Sequence, residues 1–383
     1  MLLLYLISYV RRIAAIAILF VSTYGFSQMD SNLKWWNPIN ETGQHFIEGQ
    51  AWPTEVEGPY DRLPKRVANK LSHGVFNLGK QSAGLLIRFR TDSPAIHIRY
   101  RTGNTNNYAF EHMSATGVSG VDLYTFDDKG NEVWCAANRK FSDTISYVYK
   151  KLGTLKAMRE YRLYLPLYNK VIQLEIGVDS NAKFSPLPPR NKEPIVVYGT
   201  SIAQGACASR PGMAWTAQLG RALALPLVNL GFSGSGRLEM PIIDLMTEID
   251  ASVYILDCMP NMTPVTWENL GIENETAFKE RIIKAVKGLR VGRKNTPIVL
   301  VEHAGYSDEY ISPASKNRFQ KVNKLQHEAY LQLVDDGVGN LYYLTKDEIN
   351  LQMNDTVDGV HPTDLGMWHY TQAYIEKLES ILK

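Results

Sequence analysis

The sequence predicts a two-part α/β protein: an antiparallel β-sandwich, then a parallel sheet covered by helices on both faces. Three observations carry this. The chain has 383 residues, 45% of them hydrophobic. That is too long for one ordinary core and too apolar for a largely disordered chain. From residue 84 onward, apolar side chains recur at every second position, the period of half-buried strands. After residue 191, short apolar runs alternate with helical patterns, which is the β-α-β signature of a parallel sheet.

Residues 1–27 read as a secretory signal: Arg11-Arg12, the apolar run Ile13–Val21, then small residues up to Ser27. The rival reading is an uncleaved anchor. The arginine pair, however, splits the apolar stretch into pieces of about ten residues, short of the roughly twenty that span a bilayer. The expectation is an exported protein, periplasmic or extracellular, with no stable membrane insertion once the signal is removed. The formal charge of +2 resides in Arg11 and Arg12; without them 39 Lys+Arg (41 − 2) balance 39 Asp+Glu. A neutral chain gives no electrostatic reason to bind nucleic acid.

Residues 28–190 form the expected β-sandwich domain. An aromatic lead-in (Trp35, Trp36, Trp52) precedes strand-like runs at 85–91, 95–101, 120–126, 132–135, 161–165 and 171–176. The tryptophans are candidates for stacking on sugars as well as for the core. Asp127–Asn131 is turn chemistry. Ser185-Pro-Leu-Pro-Pro-Arg-Asn191 reads as a stiff connector and marks the boundary.

Residues 191–383 form the expected α/β domain, with strands near 195–198, 227–230, 252–256, 298–301 and 341–344. Helices are expected near 213–224, 238–248, 275–289, 313–335 and 364–382. In such sheets ligands bind beyond the carboxyl ends of the strands. Gly199-Thr-Ser201 comes after the first strand; its serine suits either a helix cap or a nucleophile on a sharp turn. Asn229-Leu-Gly-Phe-Ser-Gly234-Ser-Gly236 comes after the second. Its glycine order is neither a dinucleotide nor a Walker motif, so it reads as a turn exposing a backbone N–H. Asn261 lies beyond the third strand, either as a side-chain donor or as a turn former. Asp358-Gly-Val-His361 precedes the last helix; the aspartate can fold back onto the imidazole Nδ1 and leave Nε2 to take a proton. Together these supply a nucleophile, a base, an orienter and oxyanion donors at one sheet edge.

In that order the residues resemble the SGNH hydrolases, or GDSL esterases, over about 191–383. The resemblance implies a flavodoxin-like three-layer α/β/α domain. It also implies a catalytic set of Ser201, His361 and Asp358, with an oxyanion hole from the Ser201 N–H, the Gly234 N–H and the Asn261 amide. Thr200 stands where the family carries aspartate. Gly120-Val-Asp-Leu-Tyr124, Gly205–Met213 and Gly231–Glu239 look like a subgroup with an N-terminal, jelly-roll-like β-domain. This broad group includes carbohydrate esterases, so the implied activity is hydrolysis of acetyl esters on an oligo- or polysaccharide, without a cofactor. An SGNH lipase or thioesterase, and a non-catalytic sugar-binding protein on the same fold, remain the alternatives.

Smaller expectations complete the reading. Arg210 is a candidate for substrate hydroxyls or for a salt bridge. His303, ending the fourth strand, is a candidate for lining the cleft or for a supporting or surface group. Cys207 and Cys258 are candidates for a disulfide near the site, with Cys135 free. No His/Cys/carboxylate spacing suggests zinc or calcium, so no catalytic metal is expected.

Overall fold

The computed structural model describes residues 32–382 except Thr42, Asn138, Lys151 and residues 153–157. The expected leader, residues 1–27, lies outside the described residues. The first region contains β1 (Leu33–Trp36), β2 (Ile47–Glu48), α1 (His73–Leu78), β3 (Leu86–Thr91), β4 (Ile96–Thr102), α2 (Ala115–Val118), β5 (Asp122–Phe126), β6 (Glu132–Ala137), β7 (Ile145–Tyr149), β8 (Arg159–Tyr164), β9 (Val171–Asp179) and β10 (Phe184–Leu187). The strands build two antiparallel sheets, β1-β9-β4-β7 and β10-β3-β8-β5-β6, with β2 added on β3. In β4 the alternation is plain. Ile96, Ile98 and Tyr100 are buried, while His97, Arg99 and Arg101 are more exposed. The inner faces meet in one core that includes Phe89, Ile98, Tyr100, Leu123, Tyr161 and Ile176.

Two details depart from the sequence reading. β1, β2, β7 and β10 add strands not read there. In addition, the proline-rich segment is not a free connector, because Phe184–Leu187 pairs antiparallel with β3. Pro186 is tolerated because β10 is an edge strand, where a missing N–H costs no ladder bond.

The second region contains β11 (Ile195–Gly199), α3 (Ser201–Gln204), α4 (Trp215–Ala222), β12 (Leu227–Gly231), α5 (Met240–Met246), β13 (Val253–Asp257), α6 (Glu275–Gly292), β14 (Ile298–Val301), α7 (Pro313–Asp335), β15 (Leu341–Leu344), α8 (Lys346–Ile349) and α9 (Asp364–Ile381). Its sheet is wholly parallel, in the order β12-β11-β13-β14-β15. Counted from β11 this is 2-1-3-4-5, the flavodoxin-like order, with its switch point between β11 and β13. Every residue of β11, β12, β13 and β14 is buried, as a sheet covered on both faces requires. Helices α5, α6 and α7 close one face with Ile242, Ile282, Val286 and Val322. Helices α4 and α9 close the other with Trp215, Leu219, Met367 and Tyr374; the Trp215 and Tyr374 rings stack at 4.3 Å. No helix among the described residues is long and apolar enough to cross a membrane.

Candidate active site

The site grows from the turn after β11. Gly199 ends the strand in a space where a Cβ would press on the Asp257 carbonyl oxygen. Thr200 then caps α3, its hydroxyl accepting from the Ile202 N–H at 3.3 Å. Since threonine does the capping, the hydroxyl of Ser201 is left for other chemistry. Ser201 Oγ lies 2.9 Å from His361 Nε2, and His361 Nδ1 lies 2.7 Å from Asp358 Oδ2. Gly359, at φ +90°, lets the loop fold the aspartate back. Asp358 Oδ1 accepts the His361 and Val360 amides at 2.8 and 3.1 Å. Partial burial raises the Asp358 carboxyl pKa, but these amides and the imidazole outweigh it and hold the group below its ordinary value. An ionised carboxylate on Nδ1–H fixes the tautomer that leaves Nε2 free to accept a proton.

The loop after β12 passes beside the same turn. Gly234 lies exposed at φ +63° with nothing near the position of a Cβ. Gly236, at φ +72°, is different: a Cβ there would be driven into the Gly199 carbonyl oxygen. The sequence pattern singles out Gly234; the closer approach to the turn that carries Ser201 belongs to Gly236. Asn261, after β13, donates its side-chain amide to the Ser235 carbonyl oxygen at 2.5 Å. The structure thus brings the loops of Ser201, Gly234 and Asn261 to one sheet edge, where the first amides of α3 have no acceptor within the helix.

The β-region contributes residues that sequence reasoning missed. Arg62 is buried and donates to the carbonyl oxygens of Asn229 and Gly231 at the end of β12, each at 2.9 Å, and to those of Leu78 and Gln81. Burial lowers its pKa to about 9, and its guanidinium lies over the Phe232 ring. Tyr168 donates its hydroxyl to the Ser201 carbonyl oxygen at 3.2 Å. Gln204 links the two regions: it donates to the Leu167 carbonyl oxygen and accepts from the Ser233 N–H at 2.9 Å. Asp122 of the Gly-x-Asp-Leu-Tyr string is fully buried and accepts from Arg210, the Gly212 N–H and Trp134.

The structure corrects two expectations, a cleft-lining His303 and a disulfide, and decides between the two roles left open for Arg210 and for the tryptophans. Arg210 makes the salt bridge: Nη1 lies 2.7 Å from Asp122 Oδ2, and the guanidinium covers Trp134. His303 does not line an open cleft; it is 1% exposed, stacks on Phe319, and its Nδ1 accepts the Gly305 N–H. Burial and the charge of Lys346 lower its pKa to about 3, so it is neutral at ordinary pH. Cys207 and Cys258 are both free. The Cys258 thiol points to the Tyr198 carbonyl oxygen within the core on the α5–α7 face, whereas Cys207 sits among His112 and His361. The tryptophans form no common platform. Trp35 lies under Arg99, Trp36 packs on Phe46, and Trp52 is buried against the α/β core.

Beneath the site, Asp257 ends β13 fully buried. It accepts from the Tyr374 hydroxyl at 3.1 Å, and burial raises its pKa to about 7. Among the described residues one triad of metal-type donors occurs: His112, Cys207 and His361.

Comparison with known proteins agrees with this architecture. Residues 192–379 match the GDSL-like lipase/acylhydrolase family, and residues 33–184 match the N-terminus of SGNH-hydrolase-type esterases. A GDSL-like lipase from Bacteroides ovatus is 30% identical with a TM-score of 0.81, over 92% of this chain and 98% of its own. The chain therefore belongs to the GDSL-like, or SGNH, hydrolase family. Two more distant structures share the fold. A salicylyl-acyltransferase from a tetracycline biosynthetic pathway is 17% identical with a TM-score of 0.72, over 92% of this chain and 98% of its own. An acetyl xylan esterase from the rumen bacterium Butyrivibrio proteoclasticus is 11% identical with a TM-score of 0.55, over 91% and 98%. No curated protein matches the chain.

Proposed function

We propose that this hydrolase is an exported serine esterase that removes acetyl or other short acyl groups from an oligo- or polysaccharide. The observation that carries it is the continuous relay of Ser201, His361 and Asp358, at 2.9 and 2.7 Å, beside the Gly234 and Asn261 loops. His361 Nε2 takes the Ser201 proton as Oγ attacks the ester carbonyl. The developing oxyanion is met by the Ser201 and Gly234 amides and the Asn261 side chain, which turns from the Ser235 carbonyl. His361 then gives its proton to the leaving sugar oxygen. Water, activated by the same nitrogen, releases the acid from the serine ester. Each oxyanion donor contributes about 2.7–4 kcal/mol of transition-state stabilisation. Arg210 takes no part in substrate contact in this reading.

The carbohydrate assignment draws support from the fold shared with an acetyl xylan esterase. It also draws support from His112, an exposed polar side chain whose ring lies 5.7 Å from that of His361. The reading as an exported protein rests on the sequence of residues 1–27. The fold shared with an acyltransferase favours a second reading, in which an acceptor hydroxyl replaces water in the second half-reaction.

The test measures acetate release from acetylated polysaccharides and the chain-length dependence on model esters, with and without an added alcohol. Wild-type protein should release acetate and prefer short chains, and Ser201→Ala should lose at least about 10³-fold in kcat while keeping its fold. Preference for long acyl chains would move the assignment to lipids. Predominant ester transfer to the alcohol would favour the acyltransferase. Unchanged turnover in Ser201→Ala would overturn the serine mechanism.

A further inference from the structure

His112 and Cys207 have no place in the ester mechanism, yet both stand beside its base. One donor atom from each of His112, Cys207 and His361 lies within 4.8 Å of the other two. His112 belongs to the β-region and is exposed. Its ring stacks on Phe110 at 6.0 Å and lies 5.7 Å from that of His361. Phe110 in turn packs edge-on against Tyr168, so the loop carrying His112 is braced on the residue that holds the nucleophile turn. Cys207 is 8% exposed and adopts φ +67°. A left-handed backbone at a non-glycine residue costs about 1–2 kcal/mol, and such outliers gather at functional sites. The position is fixed from below, because Gly117 packs so closely on the Ala208 carbonyl oxygen that no side chain fits between.

We propose that His112, Cys207 and His361 form a binding site for zinc or a similar thiophilic divalent cation, and that its occupation reversibly switches off the esterase. Two imidazoles and a thiolate, with the fourth position open to water or the Ser201 hydroxyl, suit a tetrahedral zinc ion. In such a site donors stand about 3.3–3.8 Å apart, given bonds of ~2.0–2.3 Å. The donors here lie within 4.8 Å of one another, so occupation needs them to close by no more than about 1.5 Å. Asp358 occupies Nδ1 of His361, so the nitrogen left for a metal is Nε2, the one that must take the serine proton. Metal and catalysis therefore compete for one lone pair. The carboxylate on Nδ1–H is also the usual partner that orients a metal-binding histidine. Opposing the site is the Cys207 thiol, whose pKa is raised to about 12 by burial and by the charge of Asp358. A hard cation such as magnesium does not displace that proton; a thiophilic one does.

The test uses full-length Ser201→Ala protein, so that it stands whether or not the ester reading holds. Calorimetric titration should show one zinc ion bound per chain and none of magnesium. In that background Cys207→Ser and His112→Asn should each weaken zinc binding tenfold or more. Cobalt(II) should give a sulfur-to-cobalt charge-transfer band that Cys207→Ser abolishes. In the wild-type protein zinc should inhibit hydrolysis, and a chelator should restore it. Zinc affinity unmoved by either substitution, or cobalt bound without the band, would overturn the site. Activation by zinc would overturn the switch.

Discussion

The two regions of the molecule divide the work unequally. The α/β region carries every group assigned to bond making, each on a segment just beyond a strand or before the last helix. The β-region carries none of them, yet its Arg62 and Tyr168 hold segments on which they stand, and its Asp122 holds the turn at 210–212. The comparison teaches that chemistry collects where topology exposes it, whereas support comes from wherever buried backbone needs a partner. Arg62 supplies donors to four carbonyl oxygens that lie at or near the interface; removing it leaves those of Asn229, Gly231 and Gln81 to find water or go without, while that of Leu78 keeps the Gln81 N–H.

This division can be broken from the catalytic side first. Gly236→Ala should be the most damaging of the single-methyl changes, since its Cβ would displace the Gly199 carbonyl oxygen and with it the nucleophile turn. A fall in kcat of about 10²–10³ is expected, the scale of a lost oxyanion donor. Gly234→Ala meets no atom and bears only the cost of a left-handed backbone, about 1–2 kcal/mol. Parallel kinetics and melting curves check the pair; equal damage from both would show that φ, rather than the close approach, governs the loop.

From the supporting side, Arg62→Met should lower kcat more than it raises KM, because the end of β12 leads directly into the Gly234 turn. It should also destabilise the fold by about 2–4 kcal/mol through unpaired buried carbonyls. A variant that melts earlier but turns over normally would reduce the β-region to a scaffold with no influence on the site.

The smallest effect lies beneath the sheet edge. Asp257 has its pKa raised to about 7 by burial. Between the ordinary carboxylate value and 7, the native state holds a proton that the unfolded chain has released. Asp257 thus favours folding at low pH, and its contribution is lost as pH rises through about 7. Asp257→Asn removes that slope. Its melting temperature relative to wild type should climb from pH 4 to pH 7 and level off above, with a gain of about 3 °C. A difference independent of pH would show that the carboxyl is ionised throughout.

Much of the α/β region is legible in the sequence because a parallel strand buried on both faces is a short apolar run. The loop next to it in sequence is then next to it in space, at the carboxyl edge of the sheet. Ser201, Gly234 and Asn261 are reached by that rule, and Asp358 with His361 by the turn chemistry ahead of the last helix. The rule does not give side-chain direction. His303 and Cys258 stand beyond strands as the others do, but one packs on Phe319 and the other turns to the Tyr198 carbonyl oxygen. Nor does it give partners distant in sequence. Arg62 sits in a loop without periodicity, 167 residues from Asn229, and no local pattern marks it. The Gly-x-Asp-Leu-Tyr string is visible as a string, but its purpose emerges only from Asp122 meeting the 210–212 turn. For Arg210 the sequence leaves two roles open, and the depth of Asp122 decides between them.

The buried guanidinium of Arg62 also bears on how the chain can be divided. A catalytic half cut free near residue 191 would expose the carbonyl oxygens of Asn229 and Gly231 and lose the Arg190 guanidinium, which Glu48 holds against the Leu225 carbonyl oxygen. The two halves share buried hydrogen bonds through Arg62, Tyr168 and Gln204. Any attempt to transplant the hydrolase onto another partner has to bring along the arginine and the surface that carries it.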